Sequence, residues 1–201
     1  MTIKAVVLDV GGVLEVVDDD VFPDPAEQRL GLEPGSVLGG LAALPGDAIL
    51  GQVSQAHVRD EWQRSLGIDD EQAHELMADF WRWYVGTPDR TLLDWFAAQR
   101  PARLTGILSN SAPGAREAER HHGFEEVADD IVYSHEVGVA KPDPAAYALA
   151  TRRLGVEPGE VVFLDDVEAN VEAARAYGWH AVLHVATTTS IREMERIISI
   201  G

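Results

Sequence analysis

The feature that most constrains this chain is a set of short apolar, β-branched runs that each stop at a polar or acidic residue. The run at 3–8 ends at Asp9 and then Gly11-Gly12, that at 104–108 ends at Ser109-Asn110, and that at 161–164 ends at Asp165-Asp166. Runs this short and this uniformly apolar fit strands buried on both faces, as in parallel sheets. Weaker strand candidates lie at 131–133 and 181–185, and helical periodicity fills about 113–122, 144–154, 168–177 and 190–199. Strand–helix alternation predicts the α/β class, a Rossmann-like doubly wound parallel sheet with helices on both faces. In such sheets ligands sit at the carboxyl ends of the strands, where these polar residues fall.

The stretch 15–87 breaks the alternation. It opens with an acidic, proline-dotted segment (Asp18-Asp19-Asp20, Pro23, Pro25) and continues with helical periodicity near 26–30, 54–66 and 70–85. This reads as a helical insertion after the first strand, leaving 1–14 and 88–201 as the core domain. Its aromatic run, Phe80-Trp81-Arg82-Trp83-Tyr84, is expected to form the insertion's own small core in preference to lining a substrate pocket, because aromatics at helical spacing usually pack.

A length of 201 residues suits one domain carrying an insertion. The formal net charge of -18, from 34 acidic and 16 basic residues, repels nucleic acid and anionic membranes, so neither is an expected partner. No apolar run approaches the ~20 residues of a membrane helix. The start, Met1-Thr2-Ile3-Lys4, lacks a signal-peptide layout, and a cytoplasmic location is expected. The absence of cysteine excludes disulfides and thiolate zinc sites. The same negative field repels phosphorylated metabolites, so a site for them needs local positive charge from a metal, a lysine or backbone N–H groups. Lys4 and Lys141 are the only lysines.

Four segments carry candidate chemistry. In the first, Asp9 leaves a strand before Gly11 and Gly12, which let a ligand approach the turn backbone; the plain alternative is an ordinary glycine turn. In the second, Ser109 and Asn110 offer a hydroxyl, an amide and following N–H donors, or else simply cap a helix. In the third, Lys141 precedes Pro142, which favours an extended backbone, and Asp143 and Pro144 suit a helix cap and first turn; the alternative is a lysine on a solvated loop. In the fourth, Asp165 and Asp166 are adjacent carboxylates, costly to hold together without a cation, unless Asp166 caps the next helix.

The ordered set of four resembles the motifs of the haloacid dehalogenase superfamily, over the whole chain and with an α-helical cap inserted after the first strand. It is closest to the phosphatase-type branch with paired aspartates, here Phe163-Leu164-Asp165-Asp166 followed by Asn170. The resemblance implies a hydrolase that uses Asp9 as nucleophile, with Mg2+ held by Asp9, the Gly11 main chain, Asp165 and Asp166. It implies that Gly12, Ser109, Asn110 and Lys141 bind the transferring group of a small phosphorylated metabolite, with Asn170 behind them. A monomer or homodimer is expected.

One position departs from the pattern. Superfamily phosphatases usually carry a second aspartate two positions after the nucleophile, for acid–base work, and here that position is Gly11. Three readings follow: a leaving group that needs little protonation, such as an acyl or anomeric phosphate; another donor, such as Glu15, one of Asp18 to Asp20 or a histidine of the insertion; or a silent binding protein. The first predicts weak turnover of simple alkyl phosphates. Dehalogenation is a further alternative, disfavoured because family members that break carbon–halogen bonds replace the paired aspartates. His121-His122 reads as a favourable helix-end charge, and His135-Glu136 as a pair within possible reach of the site.

Overall fold

β1 (Ala5–Leu8) lies at the middle of a five-stranded parallel sheet ordered β5-β4-β1-β6-β7, in a computed structural model that describes residues 2–200. Met1 and Gly201, the outer ends of the expected core domain, lie outside the described residues. Two short strands follow β1: β2 (Glu15–Val16) and β3 (Thr87–Pro88). The rest of the sheet is β4 (Leu104–Ser109), β5 (Asp130–Tyr133), β6 (Val161–Asp165) and β7 (His180–Leu183). The α/β class expected from the sequence is the observed one.

Burial on both sides explains why β1 shows no polar alternation. Val6 and Leu8 face one apolar layer, shared with Leu92 and Phe96 of α5 (Arg90–Ala97) and Met194 of α11 (Thr187–Ile200). Ala5 and Val7 face the other, with Tyr147 of α9 (Pro144–Leu154) and Val171 of α10 (Glu168–Tyr177). Strand geometry sends successive side chains to opposite faces, so both layers draw on the same four residues. β1 pairs in parallel with β4 and with β6. The carboxyl ends of these three strands therefore meet at one edge.

Residues between β2 and β3 form a helical layer: α1 (Asp24–Leu30), α2 (Ser36–Ala42), α3 (Gln55–Leu66) and α4 (Asp70–Val85). Glu15 pairs with Pro88 and Val16 with Thr87 in an antiparallel ribbon, so the chain leaves the sheet and returns side by side. The layer has its own apolar cluster of Phe22, Val37, Trp62 and Leu76, against which Phe80 and Trp83 pack. Phe22 stacks on Trp83 with centroids 5.4 Å apart, and the Trp62 indole N–H donates to the Val37 carbonyl at 3.1 Å. The aromatic run thus divides its work. Trp83 joins this core, Phe80 joins it and also reaches a cavity of about 530 Å³, and Trp81 lines that cavity with Leu41, Ile49 and Val58. No helix among the described residues is long and apolar enough to cross a membrane.

Several element bounds differ from those expected. The helix expected at 113–122 starts only at Ala115, because Gly114 adopts φ 104°, and tightens into a 3-10 turn at Arg120–His122. That short helix is α6 (Ala115–Glu119); α7 (Phe124–Val127) and α8 (Ser134–Val137) are single turns on either side of β5. The strand expected at 181–185 is β7, which ends two residues earlier at Leu183. α2 and α5 had no expected counterpart.

Trp62 is fully enclosed in the helical layer. Trp62→Ala is expected to cost about 3–5 kcal/mol in denaturant unfolding. Hydrogen exchange is expected to show lost protection in α2–α4, with β1, β4 and β6 unaffected.

Candidate active site

Asp9 follows β1 directly, and its backbone N–H donates to the Leu164 carbonyl at 3.0 Å. Its Oδ1 accepts the Val10 N–H at 2.8 Å and the Lys141 Nζ at 2.7 Å. The same ammonium lies 2.6 Å from Asp165 Oδ2, and the Lys141 side chain is wholly buried. One cation therefore bridges two interior carboxylates brought in by adjacent strands. Burial pushes the Asp9 carboxyl up, the Lys141 ammonium pulls it back, and Asp165 pushes it up again.

Asp165 is held on all sides: Val167 N–H donates to its Oδ1 at 2.8 Å, and Asn170 Nδ2 reaches both oxygens at 3.0 and 3.2 Å. Asp166 is exposed at the rim. It does not cap α10, whose cap residue is Val167. Its carboxylate lies beside Gly12, whose φ of 73° favours glycine there. Asp9, Asp165 and Asp166 each place a carboxylate oxygen within 4.8 Å of the others.

Lys141 sits before Pro142 in a turn that the Asp143 N–H closes on the Ala140 carbonyl at 2.9 Å. The Lys141–Pro142 peptide is cis. Asp143 caps α9 through the Ala145 N–H at 2.8 Å, with Pro144 in the first turn. Asn110 grips the turn from the end of β4: its Nδ2 donates to the Lys141 carbonyl and its Oδ1 accepts the Lys141 N–H, each at 2.8 Å. Both ends of the Asn110 amide are thus engaged with the lysine backbone. The Asn110 side chain, expected to help bind the transferring group, holds the Lys141 backbone in this structure. Ser109 is buried at the end of β4, and no side chain caps α6.

A second polar cluster adjoins the first. Gly11, Ser109, Glu15, Glu119 and Tyr84 line a cavity of about 170 Å³. The expected helix-end role of His122 is corrected here: it is buried, with Nδ1 2.9 Å from Glu15 Oε1. Burial, then the charges of Glu119 and Asp9, push Glu15 up to about 10. Burial, then His121 and Arg90, push His122 down to about 4. Burial thus works against charge on both members of this contact. Glu119 gives an oxygen to the Tyr133 hydroxyl at 2.5 Å, and burial pushes it up to about 7. His121 stays at the turn end, its Nδ1 2.9 Å from the Ala118 carbonyl. His135 bonds Ser111 at 2.7 Å and Glu136 pairs with Arg116 at 2.6 Å, so both are engaged outside the Asp9 cluster. Asp19 accepts the Trp83 indole N–H at 3.1 Å.

The donor set fits a hard divalent ion. Three carboxylates face one ammonium, and their oxygens suit magnesium better than a softer metal.

This fold and site meet a family model described as haloacid dehalogenase-like hydrolase, which matches residues 3–178. The chain belongs to that family. It is similar to Phosphatase MT3486 of Mycobacterium tuberculosis, 30% identical over 194 residues, covering 91% of this chain and 88% of that protein. It is 42% identical over 72 residues to Bifunctional epoxide hydrolase 2 of Sus scrofa, a stretch covering 36% of this chain and only 13% of that protein. A HAD family enzyme of Bacteroides thetaiotaomicron, solved in complex with magnesium and inorganic phosphate, shares the fold. Its TM-score is 0.74 at 24% identity, covering 92% of this chain and 95% of that one.

Removing the ammonium leaves two buried carboxylates facing each other. Lys141→Met is expected to cost about 3–5 kcal/mol in metal-free denaturant unfolding, part of it regained on adding magnesium. A second expectation concerns pH. Folded Glu15 keeps its proton to about pH 10, whereas its ordinary value is 4.5. Its stabilising effect is complete below the lower value and is lost as pH climbs towards the upper one. Between about pH 7 and 10, above the range of His122 and Glu119, Glu15→Gln is expected to flatten the decline of unfolding free energy.

Proposed function

We propose that this hydrolase is a magnesium-dependent phosphatase of small phosphorylated metabolites that works through an aspartyl-phosphate on Asp9. The observation that carries the reading is the buried Lys141 ammonium, 2.7 Å from Asp9 and 2.6 Å from Asp165, beside a third carboxylate. Asp9 attacks phosphorus and water later releases the phosphate, which splits one hard displacement into two easier ones. Lys141 neutralises charge on the transferring group. The Ser109 hydroxyl and the Asn110 N–H orient its oxygens, the Gly12 N–H being already engaged with the Glu15 carbonyl at 2.9 Å. Asp9, Asp166 and the Gly11 carbonyl would hold Mg2+, which supplies further neutralisation of phosphoryl charge. Asp165 fixes Lys141, and Asn170 fixes Asp165.

Residues 15–87 serve as a cap over this edge, the rest as the catalytic core. The adjacent carboxylates speak for phosphoryl transfer rather than dehalogenation, since a halide displacement has no use for a cation there. The phosphatase named among the relatives, and the magnesium and phosphate held by the Bacteroides enzyme, support the same reading.

The Gly11 gap decides which substrates turn over. The expectation of weak alkyl phosphate turnover assumes that no other carboxyl adjoins Gly11, whereas Glu15 and Glu119 line the cavity there. This favours the reading in which another group moves the proton. Phosphate release should be measured on alkyl, sugar, anomeric and acyl phosphates, with magnesium and with chelator. At least one substrate is expected to be hydrolysed, with Asp9→Asn or chelation lowering the rate by ~10²-fold or more. No release above the Asp9→Asn background on any substrate would leave a silent binding protein as the better reading.

A further inference from the structure

Two buried carboxyl oxygens have no hydrogen-bond partner, Glu15 Oε2 and Glu119 Oε1. Both residues line the cavity of about 170 Å³ that also touches Gly11, the position that lacks an acid–base carboxylate, and Ser109. An interior carboxyl oxygen without a partner is unfavourable in a resting fold, and becomes useful when a ligand enters beside it. We propose that Glu119 moves the proton in this reaction, protonating the leaving oxygen and later taking a proton from the attacking water. The inference rests on the phosphatase reading of Asp9 and deepens it.

Each of the two carboxyls has one oxygen held and one without a partner. Glu119 Oε2 accepts the Tyr133 hydroxyl at 2.5 Å, and the Arg116 guanidinium lies 4.7 Å from the centre of the Tyr133 ring. That fixes one oxygen and leaves Oε1 without a partner in a residue that lines the cavity. Glu15 is likewise held through Oε1, by His122, but burial pushes it up to about 10, so it gives up a proton less readily. The titratable groups facing Glu119 are Asp9 after β1, Glu15 of β2, Tyr84 of α4 and Tyr133 of β5, with Arg116 on its own helix. Burial pushes the group to about 7, while the Tyr133 hydrogen bond pulls it down and Asp9 pushes it up. A carboxyl balanced near neutrality can both give and take a proton at working pH.

The steps balance. As the Asp9 oxygen bonds to phosphorus, the bond to the leaving oxygen breaks and the Glu119 proton passes to that oxygen, releasing an alcohol. Water then attacks phosphorus, its proton passes to the Glu119 carboxylate, and the bond between Asp9 and phosphorus breaks. Free phosphate leaves, with Asp9 ionised and Glu119 protonated as at the start.

The test compares wild type, Glu119→Gln and Glu15→Gln on para-nitrophenyl phosphate and on an alkyl phosphate, with Asp9→Asn as background and circular dichroism as the fold check. The nitrophenolate leaving group needs no proton, so Glu119→Gln is expected to give a stoichiometric burst of nitrophenolate, then a steady state ~10²–10⁴-fold slower than wild type. The phosphorylated protein is expected to accumulate as a mass increase, and alkyl phosphate turnover to fall without a burst. An unchanged steady state in Glu119→Gln would overturn the inference, as would a loss carried by Glu15→Gln alone. Loss of the burst together with turnover would also overturn it, making Glu119 a structural support. Wild-type protein with no Asp9-dependent release would overturn the phosphatase reading itself, and this inference with it.

Discussion

One ammonium between two interior carboxylates organises this protein. Lys141 reaches Asp9 and Asp165 from a turn that Asn110 grips through both ends of its amide. Three strands, β1, β4 and β6, thus converge on one charge at their carboxyl ends. Such a contact is unfavourable to assemble and more unfavourable to leave half made, so it fixes the relative placement of the segments that form it. It also offsets part of the negative charge that three carboxylates bring to this edge of a strongly acidic molecule.

The central strands were legible because their surroundings are simple. β1, β4 and β6 are covered on both faces, so their apolar runs carry no competing signal, and each ends at a residue whose chemistry stands out. β7 sits at the sheet edge, where weaker burial leaves its end less marked. α2 carries the pair Gly39-Gly40, which reads as a break, yet Gly40 packs under Trp62 and Ser65 where a larger residue would crowd. Tertiary packing overrides helix propensity there.

The site was legible in part, for a related reason. Asp9, Lys141, Asp165 and Asp166 announce themselves as charges placed where strands stop. Asn110 was visible as a residue but not as a brace, because a hydrogen bond to a backbone 31 positions away leaves no local pattern. Glu15, Glu119 and His122 were harder still. Glu15 and His122 are 107 positions apart, and Glu119 lies in a charged stretch that reads as solvated surface. Only the fold turns them inward. The glycine that marks a gap in the sequence motif does not mark what fills the space beside it.

The ribbon of β2 and β3 has a consequence for how the molecule is partitioned. Because the two crossings lie against each other, the backbone of everything between them joins the core through a single narrow stem, with further hydrogen bonds from Ser134 to the Ile49 carbonyl and from the Ala112 N–H to Tyr84. Closing such a long excursion adds little entropic penalty over closing a short one, since the penalty grows only logarithmically with length. The sheet can therefore keep its chemistry while the suspended portion is lengthened, shortened or exchanged for another of similar attachment, an architecture suited to diversifying what is recognised without rebuilding what reacts.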